Sequence, residues 1–434
     1  MSGVHASTYI APMQTQPKLA PLVLATMASQ ALLVALSPMV VAVGKDLGAP
    51  VGTVGQARSV AAGVAIIASL AIVGHTDTLG VRRLVGVGSA LAVLASAAIA
   101  IAPTLAVFLA AHVLVGLAFS CLLSAGFAGV AAFAPERRPW AIGYVTAANA
   151  LAWIVVNPIV GAVTEWLSWR AAEIVPASVA VAALVATPHA ELAPGRSSSA
   201  PQLAGLLRER SVRRWLRAEV VAFAAWTSLL TFVGAFFIER LGVSVAAAGW
   251  LLAAGAAAHF VAATRSGTLV GLVARRRLIA SSALAMAILF VVLLTLSASV
   301  LPAAATFCLL GLAAGIRSPA ASALGLEQLP RHPGAMMAAR TAATQLGYLL
   351  GGTTGGVVIS HSGYGTLGVV LAIGMAVSAV LILRVGDASP AHVPRPRAPA
   401  TNSPLAPPSA AKRNSPLHGK SSRPLAAGDR RVVR

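Results

Sequence analysis

From residue 19 onward, predominantly apolar residues run in stretches long enough to cross a bilayer, each cut off by a short polar segment. The stretches fall at 19–43, 53–74, 84–102, 104–133, 140–163 and 170–187, then at 216–238, 245–264, 278–298, 302–326, 335–359 and 365–384. About 18 or more apolar residues in a row span hydrocarbon as a helix. A barrel, the other backbone that satisfies its own hydrogen bonds in lipid, needs a two-residue alternation that these runs lack. The pattern predicts an all-α membrane protein of twelve transmembrane helices in two six-helix halves, 19–187 and 216–384. Around them lie an N-terminal segment 1–18, a linker 188–215 and a tail 385–434. The first run exceeds a signal-peptide core and reads as a retained helix.

Composition agrees with this and charge orients it. The chain of 434 residues is 57% hydrophobic and only 10% charged, against roughly 25% charged in soluble domains. Its net charge of +20 would point to nucleic acid in a soluble protein, but here the basic residues sit between the apolar runs and no aromatics interleave with them. With the N-terminus in the cytoplasm, sixteen Lys/Arg before the tail fall in cytoplasmic loops and only Lys45, Arg170 and Arg240 in external ones. Positive loops stay inside, so both termini are expected in the cytoplasm. The Pro-, Ser- and Arg-rich tail has no apolar period and reads as disordered and solvated, with contact to an anionic leaflet as the alternative. Cys121 and Cys308 each lie within an apolar run, without the spacing of a metal site or a disulfide framework.

The second half echoes the first. At an offset of 195 residues Gly116 meets Gly311, Pro135 meets Pro330, Thr146 meets Thr341, Trp153 meets Tyr348 and Gly161 meets Gly356. With one residue less, Leu47-Gly48 meets Leu241-Gly242, Gly55 meets Gly249, and Arg82-Arg83 meets Arg276-Arg277. Two halves related by an axis along the membrane normal form a transporter architecture, with the substrate path between them.

Three motifs carry a resemblance to the major facilitator superfamily, and more narrowly to the twelve-helix drug- and sugar-efflux proton antiporters of bacteria. Between the second and third runs, Asp77-Thr78-Leu79-Gly80-Val81-Arg82-Arg83 resembles the second half of the family's G-x-L-A-D-R-x-G-R-R loop. Gly80 permits the tight turn and Arg82 and Arg83 anchor the cytoplasmic side. The resemblance implies that Asp77 latches the outward-facing state against the start of helix 11. Thr78 replaces the family's basic residue, and the second-half loop, 271–277, has no acid. In helix 4, His112 and Gly116 stand where the family has an arginine and a glycine associated with proton coupling. In helix 5, Asn157, Pro158 and Gly161 keep part of a glycine- and proline-rich antiporter motif, with Pro158 as the expected bend. The glycine-rich stretch Gly347–Gly356 of helix 11, beside Gln345 and Tyr348, is similar to that of sugar-efflux members.

Polar side chains inside helices face the bundle interior or a water path. Arg58, His112, Glu219, His259, Arg317 and Arg340 are the candidates, with Asn149, Trp153, Asn157, Gln345 and Tyr348 as substrate-path residues beside them. Snorkelling would account for Arg58 and Arg340, whereas Arg317 lies too deep for it. His112 is read either as a proton carrier or as a hydrogen-bonding residue. Glu219 is read either as a proton site or as the partner of a surface Arg217. Buried Arg317 and Arg340 suit a neutral or anionic solute. No phosphate loop, HExxH pattern or Ser/His/Asp set is present in the sequence, so an enzyme is not expected. The expectation is a monomer in the bacterial inner membrane that exports a small organic solute against protons, with no cofactor beyond the proton gradient and no nucleic-acid partner. Uptake or facilitated transport of a sugar or metabolite, and a non-transporting receptor or lipid-handling protein, remain the alternatives.

Overall fold

A computed structural model describes residues 18–73, 76–187, 208–329 and 333–386; most of the N-terminal segment, most of the linker and nearly all of the tail lie outside them. The described residues form helices and short connections, with no strand among them. In chain order α1 is Ala20–Asp46, α2 Gln56–Val73, α3 Thr76–Ala100, α4 Leu105–Ala128 and α5 Arg138–Trp166. Next come α6 at Trp169–Ala186, α7 at Arg210–Leu241, α8 at Val245–Leu272, α9 at Arg275–Val291 and α10 at Val300–Gln328. The last helical run, Pro333–Leu383, is interrupted at Gly363, where φ is 74° and ψ −175°. Its 51 residues would reach about 75 Å unbroken at 1.5 Å per residue, far beyond a bilayer. Residues 333–362 are therefore α11 and 364–383 are α12.

Several helices outrun the apolar segments that predict them. Apolar length ends where charge begins, but hydrogen bonding does not, so α5 starts at Arg138 and α7 at Arg210. Their long basic side chains carry the helix into the interface. Between α2 and the body of α3, Gly80 has φ 69° and ψ 152°, backbone that a side chain would strain. Caps are local where they occur: Thr104 Oγ1 accepts from Val107 N at 3.4 Å and Ser168 Oγ from Ala171 N at 3.0 Å.

Each half ties its first helix to its sixth in the same way. Trp169 Nε1 donates to Asp46 Oδ2 at 3.2 Å, and Arg170 pairs with the same carboxylate. In the second half, Tyr364 Oη donates to Glu239 Oε2 at 2.7 Å. Large apolar side chains such as Ile67, Leu94, Val185 and Leu301 are exposed, as lipid-facing surface must be. The buried core is alanine-rich, with Phe108, Phe232, Phe237 and Phe290 filling its wider parts.

Candidate functional site

The halves meet chiefly through two helix crossings, α5 with α8 and α2 with α11, assisted by α1 with α7. At both crossings the chain has spent its side chains to bring backbones together. A Cβ on Gly161 would sit 2.7 Å from the Val245 carbonyl oxygen and 3.3 Å from Gly249 Cα. A Cβ on Gly52 or on Gly356 would collide with the other's carbonyl oxygen. The repeat explains the pairing, because Gly161 corresponds to Gly356 and the start of α8 to the short helix Val51–Val54 that leads into α2. Hydrogen bonds join the same level: Glu165 Oε2 accepts from Ala246 N at 2.7 Å, Gln56 Nε2 donates to Gly352 O at 3.2 Å, and Ser59 Oγ to Leu349 O at 3.0 Å. Ser37 Oγ donates to Leu230 O at 2.7 Å in the α1–α7 contact. All of these lie toward the end at which α5 and α11 finish, so that end is sealed.

From mid-depth toward the opposite end the halves part around a cavity of about 580 Å³. Its lining runs from Trp153 and Tyr348 to Gly143, Ser318 and Thr341, near the end at which α5 and α11 begin. Arg317 and Arg340 are the charged side chains among the described lining residues. Both hold Glu219, whose side chain is fully buried. Arg317 Nη2 donates to Glu219 Oε1 at 2.7 Å and to Ser378 Oγ at 3.3 Å; Arg340 Nε donates to Glu219 Oε2 at 3.2 Å and its Nη2 to Ser318 Oγ at 3.2 Å. One carboxylate thus serves two guanidinium groups, leaving one positive charge in excess. A buried pair stripped of one partner is destabilised by about 3–5 kcal/mol, so these three side chains stand or fall together. Arg217 plays no part in the pairing.

The other candidates divide around this cavity. Asn149, Trp153, Gln345 and Tyr348 line it. Asn149 Nδ2 is turned back to Thr146 O at 3.2 Å, while Gln345 Oε1 is buried without a partner. Asn157 is fully buried at the sealed crossing, its Nδ2 on Trp153 O at 2.7 Å. Pro158 lies within α5 beside it, and Gly161 lies one turn farther on. His112 is buried outside the lining, Nδ1 on Phe108 O at 2.8 Å and its ring 4.7 Å from that of Phe108. Gly116, one turn on, packs on Ala61 and Val64 of α2. Arg82 and Arg83 are exposed. Asp77 lies in the first turn of α3, and its side chain is outside the described residues.

Two features escape the sequence. Arg58 does not snorkel: it is 3% exposed, with Nη2 on Leu33 O at 3.1 Å, Nη1 on Thr231 Oγ1 at 3.2 Å and its guanidinium 5.3 Å from the Trp153 ring centroid. It braces the seam between the halves. Trp226 and Phe223, one turn apart on α7, reach the cavity beside His259 and Tyr348. Only the i, i+3 spacing of the two aromatics hinted at a shared face.

The sequence profile described as Major Facilitator Superfamily matches residues 22–239 and again 216–425, starting at the corresponding point of each half. Among curated proteins, the chain is similar to the transcription regulatory protein OpdE of Pseudomonas aeruginosa. The two are 27% identical over 337 residues, covering 74% of this chain and 82% of that one.

Proposed function

Because this chain belongs to the major facilitator superfamily, a family of secondary transporters, we propose that it exports a small organic solute in exchange for protons by alternating access. The observation that carries this reading is the cavity between the halves, sealed at one end by the glycine crossings and lined through the other. Under the positive-inside orientation the open end faces the cytoplasm, where an exporter loads. Rocking the halves about mid-depth would part the crossings and close the mouth.

Glu219 is the proton carrier in this scheme. It is the buried carboxylate within reach of the cavity, and its protonation would release both arginines together. No cofactor enters; the proton gradient across a bacterial inner membrane supplies the energy, and the protein works as a monomer. Asp77 is read as the latch of the opposite state, forming when the mouth closes.

The test is a flux screen in proteoliposomes under an imposed pH gradient, with sugars, amino acids, nucleosides, organic acids and common antibiotics. Substrate-dependent proton movement is expected. Solute flux that ignores the gradient would refute the coupling and leave facilitated transport. A folded protein that moves nothing would favour the second reading, a receptor on a transporter fold.

A further inference from the structure

The cavity wall carries a charge imbalance and a set of unused polar atoms that together describe a ligand. Glu219 is shared unequally. Its contact with Arg317 is 2.7 Å and that with Arg340 is 3.2 Å. Arg317 is 6% exposed and Arg340 15%, so Arg340 is the arginine both more weakly held and nearer the cavity space. A second cation placed there would meet uncompensated positive charge in a medium of low dielectric, where repulsion is several times that in water. A carboxylate would instead complete the count, two negative groups against two positive ones, through charge-assisted bonds to a guanidinium fork.

The surroundings of Arg340 are aromatic. Its guanidinium lies 5.4 Å from the Phe223 ring centroid, and Phe223 meets Tyr348 edge-on at 6.2 Å. One turn along α7, Trp226 stacks on His259 with ring centroids 6.3 Å apart and planes 21° apart. His259 Nδ1 and Gln345 Oε1 are buried without partners, and both residues line the cavity. Buried polar atoms left unpaired are costly and here they stand among rings.

We infer that the transported solute is an aromatic carboxylate bearing a polar ring substituent, its acid on Arg340 and its ring among Phe223, Trp226 and Tyr348, with His259 and Gln345 meeting the substituent. This rests on the transporter reading above and names the substrate class of the same cavity.

The experiment is equilibrium dialysis of the full chain in nanodiscs against radiolabelled 4-hydroxybenzoate and 6-hydroxy-2-naphthoate, each beside its amide, and against 4-hydroxycyclohexanecarboxylate. At least one aromatic acid is expected to bind saturably, about tenfold or more tighter than its own amide and than the cyclohexane acid. Arg340→Gln should abolish the preference for acid over amide, and Arg340→Lys should restore part of it. No saturable binding of either acid, equal binding of acid and amide, or a preference that survives Arg340→Gln would overturn the proposal. Equal binding of the cyclohexane acid would overturn its aromatic part. The wild-type comparison of acid with amide needs no variant to fold. Failure here is distinct from failure of the transporter reading: a protein that moves other solutes but binds no aromatic acid refutes only the substrate class. One that binds the acids without moving them refutes transport.

Discussion

Replacing Gly161 by leucine should tip the protein out of the state described here. A Cβ at that position would stand 2.7 Å from the Val245 carbonyl oxygen, roughly half an ångström or more inside normal contact, and its three nearest neighbours are all backbone atoms. Overpacking of this kind costs about 1–3 kcal/mol. That penalty falls on the sealed crossing alone, because parting α5 from α8 removes the clash. A bias of about 2 kcal/mol changes a two-state ratio roughly 30-fold. Spin labels at Leu167 and Leu301, both exposed near the sealed end and in different halves, should therefore report a longer distance in Gly161→Leu than in the parent. Gly86, with nothing within 4 Å of a Cβ, is the control, and Gly86→Leu should leave the distance unchanged. An unchanged distribution in a folded Gly161→Leu protein would refute the view that backbone contact at this crossing holds the seal.

Two further outcomes follow from the buried charges and from Asp77. Glu219→Gln leaves Arg317 and Arg340 facing each other without a carboxylate, and should lower stability by about 3–5 kcal/mol; adding Arg317→Gln should recover part of this. Thermal unfolding of the single and double variants in the same detergent checks it, and additive losses would refute the shared-carboxylate account. Asp77→Asn should reduce solute flux without reducing membrane abundance, as immunoblotting beside flux would show; full flux in that variant would sink the latch.

What could be read along the chain was what a single segment determines by itself. The apolar runs mark the helices because each must satisfy its own backbone in lipid, and Arg317 stands out because no interface lies within its reach. The repeat was legible because paired prolines, aromatics and arginines survive at a nearly constant offset. Contacts that depend on two distant segments were not. Glu219 and Arg317 are 98 residues apart and Arg340 lies 121 from Glu219; nothing near Glu219 except Arg217 advertised a partner. Arg58 sits about one turn inside its apolar run, where snorkelling is the ordinary outcome, and only the approach of Thr231 and Leu33 shows that it turns inward. His112 and His259 look alike as isolated polar residues in apolar helices. The fold hands one to a backbone carbonyl and the other to the cavity. Helix ends shifted for a simpler reason: the apolar run stops at the flanking cluster of charges, while the helix continues.

A seal made of backbone meeting backbone has no slack. Side chains at an interface can lean, swap rotamers and fill a gap as it opens, but the carbonyl of Val245 and the Cα of Gly249 cannot follow Gly161 if the halves tilt. A helix as long as α1, with its 27 residues, extends about 20 Å either side of its centre. A ten-degree rotation at mid-depth therefore moves its end by about 3.5 Å, more than the width of a water molecule. Small excursions should then wet the crossing rather than thin it. On this geometry the crossing has two conditions, dry or flooded, with little room for one between.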